Sequence, residues 1–197
     1  MTQQADDIVA KDTGGGDYER PPEGGHATVC ADVIDLGFRF NPKFGKIEHK
    51  CAIVFQLGQQ SEKTGKRFEI ASIFTVSFHE KANLRKFLSQ WRGKSYGEDE
   101  AQAGAPLKKL QGNPAYITIE HKPVGDKVYA NVIGITKLPV GLPILEPEDY
   151  VRSERWKKGS LTEAEAEKFK AAGVEQPTER HLPDLEAIED DDDDLPF

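Results

Sequence analysis

Alternating apolar and polar residues dominate the middle of this chain, and the period-two pattern restricts it to a fold built mainly from β-strands. Successive side chains of a strand point to opposite faces, so each alternating segment predicts a strand with one buried side. The pattern covers residues 26–36, 46–57, 66–78, 115–122 and 126–138. Between the first two lies Gly-Phe-Arg-Phe-Asn-Pro-Lys-Phe-Gly (37–45), which we expect to be a loop because Gly and Asn-Pro punctuate it.

One helix is predicted between the third and fourth strands. Its apolar stripe recurs at i, i+3, i+4 and i+7 and consists of Leu84, Phe87, Leu88 and Trp91. Ser77 and Glu80 have the spacing of a capping box, which places the start of the helix there. Gly93 is expected to end the helix. A further helical turn is expected around Leu107.

The element order is therefore β-β-β-α-β-β, which is the order of an OB-fold. That fold is a small, partly open five-stranded barrel that commonly binds oligonucleotides on the face of strands 2 and 3 and in the 1–2 and 4–5 loops. Another small α+β domain with the same number of strands is the alternative. The predicted parts are a disordered segment (1–25), the OB-fold domain (26–145), a linker with a short helix at 160–173 (146–188) and an acidic tail (189–197).

Charge is distributed unevenly along these parts. The net charge of the whole chain is −8, but residues 1–25 carry −4, residues 26–145 carry +6 and residues 146–197 carry −10. A basic domain beside an acidic end points to nucleic acid as one partner and to a protein-interaction tail.

The segment 37–45 interleaves three phenylalanines with cationic residues. Aromatic faces can stack on bases and cations can contact the phosphates between them, which gives binding without sequence preference. The alternative is that these phenylalanines close one end of the barrel as core. Basic residues of strands 2 and 3 extend the cationic track, and two tyrosines of strands 4 and 5 add stacking surfaces. The predicted single-strand-binding residues are Phe38, Arg39, Phe40, Lys43, Phe44, Lys46, Lys50, Lys66, Arg67, Tyr116 and Tyr129.

Neither a metal site nor catalysis is expected. His26, Cys30, His49 and Cys51 are ligand types that zinc accepts, but their spacings match no standard zinc motif. The sequence contains no P-loop, no G-x-S-x-G and no H-E-x-x-H, so we predict a binding protein without cofactor or metal. Two cysteines, no signal-peptide pattern and no long apolar run predict a cytoplasmic protein that does not enter membranes.

The last nine residues, Glu-Asp-Asp-Asp-Asp-Asp-Leu-Pro-Phe, join an acidic run to an apolar end. A solvated tail that only prevents aggregation would explain the aspartates but not the last three residues. The stretch resembles the C-terminal tail of the single-stranded DNA-binding proteins of bacteria and their phages, in which several acids precede Ile-Pro-Phe; here Leu195 replaces the isoleucine. Residues 18–26 and 78–94 are also similar to single-stranded DNA-binding proteins of phage replication modules.

This resemblance implies an OB-fold that coats single-stranded DNA during replication, recombination and repair, in a bacterial host cytoplasm if the protein is phage-encoded, and that forms homo-oligomers in some relatives. It also implies a tail that recruits a polymerase, primase, helicase or nuclease, with an aromatic end that fills a pocket and acids that steer the encounter. The predicted tail contacts are Asp190, Asp191, Asp192, Asp193, Asp194, Leu195, Pro196 and Phe197. An RNA-binding OB module and an acidic-tailed adaptor or inhibitor that binds only proteins remain as alternatives.

Overall fold

Five antiparallel strands form one sheet in the computed structural model, which describes residues 19–41, 45–153 and 156. The strands are β1 (Gly24–Asn41), β2 (Lys46–Gln60), β3 (Arg67–Thr75), β4 (Pro114–Val124) and β5 (Lys127–Thr136). Their order is β3-β2-β1-β4-β5. The prediction of a mainly β fold is confirmed. Within the described residues β3 and β5 contact one another but are not hydrogen-bonded neighbours, so the sheet is not closed into a barrel.

Three helical elements, rather than the single predicted helix, lie between β3 and β4. They are α1 (Asn83–Arg92), α2 (Glu98–Ala103) and a 3-10 helix (Leu107–Leu110). The expected turn around Leu107 is thus confirmed. Helix α2 was not predicted because none of its side chains is buried and it has no apolar stripe. Within the described residues no helix is long and apolar enough to cross a bilayer.

Helix α1 carries the predicted apolar stripe into the core. Leu84, Leu88 and Trp91 are buried, and Phe87 packs against them from a half-buried position. The Trp91 indole N–H donates a hydrogen bond of 2.9 Å to the carbonyl of Pro114, which ties the helix to β4. Gly93 ends the helix as predicted, with φ 71°, a left-handed conformation that favours glycine.

The start of α1 differs from the prediction. The helix begins at Asn83, Ala82 occupies the N-cap position, and no side chain caps it. The hydroxyl of Ser77 instead accepts a hydrogen bond from the backbone N–H of His79, at 3.4 Å. Serine readily makes such short-range bonds in turns, where they compete with capping. The predicted capping box with Glu80 was therefore wrong.

The structure also replaces most of the predicted 37–45 loop with strand. β1 continues to Asn41, and β2 begins at Lys46. A register shift between Asp35 and Gly37 makes this possible, since the Asp35 carboxylate accepts the Gly37 N–H at 2.8 Å and Gly37 has φ 68°. After this bulge the strand resumes pairing with β2.

The sheet buries apolar residues on both sides. Its inner face packs on α1 and carries the predicted β2 residues Cys51, Ile53, Phe55 and Leu57. The other side of β1, β2 and β3, here called the outer face, carries a second apolar cluster: Ile34, Leu36, Ala52 and Val54, with Ala71 beside them. The chain that follows β5 returns over this cluster, and Tyr150 and Trp156 pack against it.

Candidate nucleic-acid interface

Phe38 lies in β1 and stacks on a histidine of β2. Its ring is 5.0 Å from that of its cross-strand partner His49, and the two planes meet at 25°. The imidazole Nε2 of His49 is in turn 2.7 Å from the Asp35 carboxylate. These contacts hold the Phe38 ring in a half-buried position at the end of the sheet. Stacking on a base therefore has to use whatever part of the ring His49 leaves exposed.

The prediction that residues 37–45 form a loop was wrong for residues 38–40, which lie in β1. Phe38 and Arg39 are consecutive in a strand, so their side chains leave on opposite faces. Arg39 pairs with Glu48 across the β1–β2 ladder. Phe40 pairs with Ile47, and Lys46 pairs with Asn41, through their backbones. The predicted contacts Lys43 and Phe44 lie outside the described residues.

Lys50 lies on the outer face at the edge of a cleft of about 410 Å³. Its ammonium donates to the Glu48 carboxylate at 2.5 Å and to the Thr75 hydroxyl at 2.7 Å. The Lys50 hydrogen bond, with others, holds the pKa of Glu48 below its ordinary value. Ile73, which also lines the cleft, is 56% exposed, and Lys81 is a further lining residue. The cleft thus combines cations with an exposed apolar side chain.

Lys66 and Arg67 have different surroundings although they are adjacent. Lys66 is exposed in the turn before β3. The guanidinium of Arg67 donates to the backbone carbonyl of Glu146 at 2.9 Å and pairs with the Glu148 carboxylate at 2.6 Å. Arg67, which we predicted from the sequence to contact a phosphate, is therefore bound by residues of the segment that follows β5.

The two candidate tyrosines also differ. Tyr116 covers the backbone of β1, because a Cβ added at Gly25 would lie 2.1 Å from the Tyr116 hydroxyl oxygen. Tyr129 in β5 is 50% exposed and pairs across the ladder with Lys122 of β4. Lys127, at the start of β5, is also exposed. The β4–β5 hairpin consequently presents an aromatic ring among lysines, of which the sequence had indicated only Tyr129.

A feature that sequence reasoning missed is the segment of residues 146–152, here called the strap, which crosses the outer face. Gln56 of β2 donates to the Glu148 carbonyl and accepts from the Glu148 N–H, both at 2.9 Å. Arg152 donates from Nε and Nη2 to the two carboxylate oxygens of Asp32 in β1, each at 2.8 Å. The Tyr150 hydroxyl donates to the same carboxylate at 3.0 Å. The predicted domain boundary at residue 145 thus falls just before a segment that packs on the sheet.

The pKa of Asp32 reflects its contacts with the strap. Burial alone would raise the pKa of Asp32, but the hydrogen bonds and charge of Arg152, with the hydroxyl of Tyr150, bring it below its ordinary value. Burial, together with the same carboxylate, raises the pKa of Tyr150. Gln111 also donates to Asp32, at 2.8 Å. Asp32 is therefore held ionised by groups from two parts of the chain.

Three of the four potential metal ligands, His26, Cys30 and His49, make hydrogen bonds to other groups. Within the described residues no group of three or more His, Cys, Asp or Glu side chains could hold a metal ion. Cys30 and Cys51 are buried thiols, and burial raises the pKa of each to about 12. His26 bonds the Pro22 carbonyl at 2.9 Å.

The predicted helix 160–173 and the tail contacts Asp190 to Phe197 lie outside the described residues. No protein-family model matches this chain, and no curated protein matches it.

Proposed function

We propose that this protein binds single-stranded DNA without sequence preference and coats it during replication, recombination or repair. The sheet is proposed to be an OB-type fold, since β1 pairs with both β2 and β4 and the edge strands β3 and β5 approach one another. The net charge of +6 over residues 26–145 favours a polyanionic partner.

The observation that carries the proposal is the composition of the β4–β5 hairpin. Tyr129 keeps half of its surface exposed although a tyrosine gains by burial, and Lys122 and Lys127 accompany it. A base can stack on the ring while phosphates on either side of it contact the lysines. Neither contact reads a base edge, so binding of this kind tolerates any sequence.

The cleft of Lys50 and Ile73 provides a second place for a strand. The exposed Ile73 side chain offers an apolar surface to a base or sugar, and Lys50 and Lys81 offer charge to phosphates. Lys50 keeps its Glu48 partner in the absence of DNA, so a phosphate would have to share or replace that contact. The cleft is for this reason secondary to the hairpin.

The acidic C-terminal tail is proposed to recruit a replication or recombination protein with a basic, pocketed surface. Asp190 to Asp194 would accelerate the encounter electrostatically, and Phe197 would supply the apolar anchor. The DNA-binding domain and the recruiting tail would then perform separate tasks within one chain.

The experiment that tests the function is a titration of a fluorescently labelled thymine homopolymer with the full chain, followed by anisotropy at low and moderate salt. Binding that weakens with salt and that duplex DNA of equal length does not compete away is expected. A matched RNA strand as competitor separates DNA from RNA preference. Absence of binding at low salt would overturn the proposal and favour the acidic-tailed adaptor.

A further inference from the structure

The strap covers the part of the sheet that the OB-type fold would offer to nucleic acid, the outer face of β2 and β3. Tyr150 of the strap and the nearby Trp156 pack on the apolar floor formed by Ile34, Leu36, Ala52, Val54 and Ala71. At one edge of this floor lies Arg67, with the exposed Lys66 before it. Without the strap, the face would combine an apolar surface with cations along the β3 edge.

The contacts of the strap with Arg67 imitate those of a phosphate group. A guanidinium commonly binds two oxygens of a phosphate, and here it binds the Glu146 carbonyl and the Glu148 carboxylate. The strap also contributes Asp149, so that three of its seven residues are acidic. An anionic segment of the chain therefore sits where an anionic ligand would sit.

The strap is attached by polar contacts at its surface more than by burial. Arg152 and Glu148 keep 53% and 51% of their side chains exposed, whereas the side chain of Asp32, the partner of Arg152, is only 5% exposed. Asp149 has φ 48° and is the one non-glycine residue with positive φ in the part of the chain that the structure describes. This conformation costs about 1 kcal/mol, so the strap stores strain that opening would relieve.

We propose that the outer face under the strap is a further single-strand-binding surface and that the strap is its displaceable cover. This inference rests on the proposed function. When the strap opens, phosphates follow the β3 edge at Lys66 and Arg67, and bases lie on the floor formed by Ala52, Val54 and Ala71. Asp32, which loses Arg152 on opening, repels phosphates from the β1 side and so fixes on which edge the backbone runs.

The test depends on whether one substitution tightens or weakens DNA binding. Arg152→Ala removes a cation, and loss of a cation ordinarily weakens binding to DNA. Here it also removes the ion pair with Asp32 that holds the strap in place. Loss of an ion pair this exposed is expected to raise the fraction of molecules with an open strap about fivefold. We expect the variant to bind the thymine homopolymer about fivefold more tightly than the wild-type chain. Arg20→Ala, which removes an exposed cation outside the strap, is the control and should leave binding equal or weaker.

A second variant keeps the test valid if Arg152→Ala does not fold. Tyr150→Phe changes no charge and removes only the hydroxyl that donates to Asp32, so it should tighten binding about twofold. In parallel, hydrogen exchange of the peptide that contains the Glu148 N–H should accelerate when the homopolymer is added to the wild-type chain.

The outcomes distinguish the two proposals. If the wild-type chain binds and neither variant binds more tightly, or if DNA slows exchange in the strap, the cover is overturned while the proposed function stands. If the wild-type chain and both variants fail to bind, the proposed function and the cover are overturned together.

Discussion

Tyr129 is the residue on which the proposed function depends most. We expect Tyr129→Ala to weaken binding of the thymine homopolymer by about 1–3 kcal/mol, because one base loses its stacking partner. Anisotropy at constant salt measures the change. Ile133→Ala is the matched control, since Ile133 lies on the same strand and is 60% exposed but has no aromatic face. Equal affinities of the two variants would contradict a stacking role for Tyr129.

The lowered pKa of Asp32 leads to a prediction about how the stability of the fold depends on pH. Its pKa is lowered in the folded state, so its contribution is present above the unfolded pKa of about 4 and is lost as the pH falls through the folded value. Asp32→Asn should lower the free energy of unfolding by about 1–3 kcal/mol at neutral pH.

Urea denaturation at several pH values measures this difference, which should shrink on acidification below about pH 4. Glu148→Gln is the control because Glu148 is half exposed and its loss should matter little. If the difference in the free energy of unfolding between Asp32→Asn and wild type is the same at every pH, the stabilising role of the ionised Asp32 carboxylate is contradicted.

Individual residues of the candidate site could be named from sequence only where the pattern of one strand determines them. Tyr129 stands out within β5, whereas its neighbour Lys122 depends on the register of the β4–β5 hairpin, in which Lys122 pairs with Tyr129. Arg67 was identified as a cation, but its partner Glu148 is 81 residues away in the chain. No local pattern encodes such a pairing.

The boundaries of α1 provide the prediction at the scale of an element. Gly93→Ala should reduce the free energy of unfolding by about 1 kcal/mol, because φ 71° is unfavourable for a residue with a Cβ. The added Cβ would meet only the Lys137 side chain, at an ordinary 3.6 Å, so the cost is conformational. Ser77→Ala, the matched change at the other end, should alter stability by less than about 0.5 kcal/mol because Ser77 does not cap the helix. Chemical denaturation compares them, and a Ser77→Ala cost equal to that of Gly93→Ala would restore the capping box.

Elements with a periodic apolar face were predictable and the others were not. The stripe of α1 and the inner face of β2 are buried as the alternation predicts. Helix α2 has no buried residue, so its sequence contains no apolar period from which a helix could be predicted. The end of β1 was missed because a Gly-containing bulge resembles the punctuation of a loop until the pairing partner is known.

The position of the strap is a property of the whole molecule. There is a physical reason why the sequence did not predict that it packs on the sheet. Residues 146–152 contain three acids and a proline and show no apolar period, which is also typical of a linker. What holds them is a set of contacts with Gln56, Arg67 and Asp32, which lie 79 to 120 residues earlier. Such contacts depend on the folded sheet, since only it brings these three side chains to one face.

The acidic end of the chain provides the last prediction, which concerns electrostatics between parts of one molecule. Residues 146–197 carry −10 and residues 26–145 carry +6, so we expect the tail to compete with DNA for the same cations. Deleting residues 189–197 should tighten homopolymer binding several-fold at low salt, and the gain should vanish near physiological salt, where the Debye length is about 8 Å.

Phe197→Ala keeps every aspartate and should leave DNA affinity unchanged, so it separates charge from the apolar anchor. Anisotropy over a salt series measures all three proteins. Equal affinity of the deletion variant and the wild-type chain at low salt would exclude competition by the tail. The strap, whose polar contacts lie within the folded sheet, would then be the chain's own means of limiting access to the outer face.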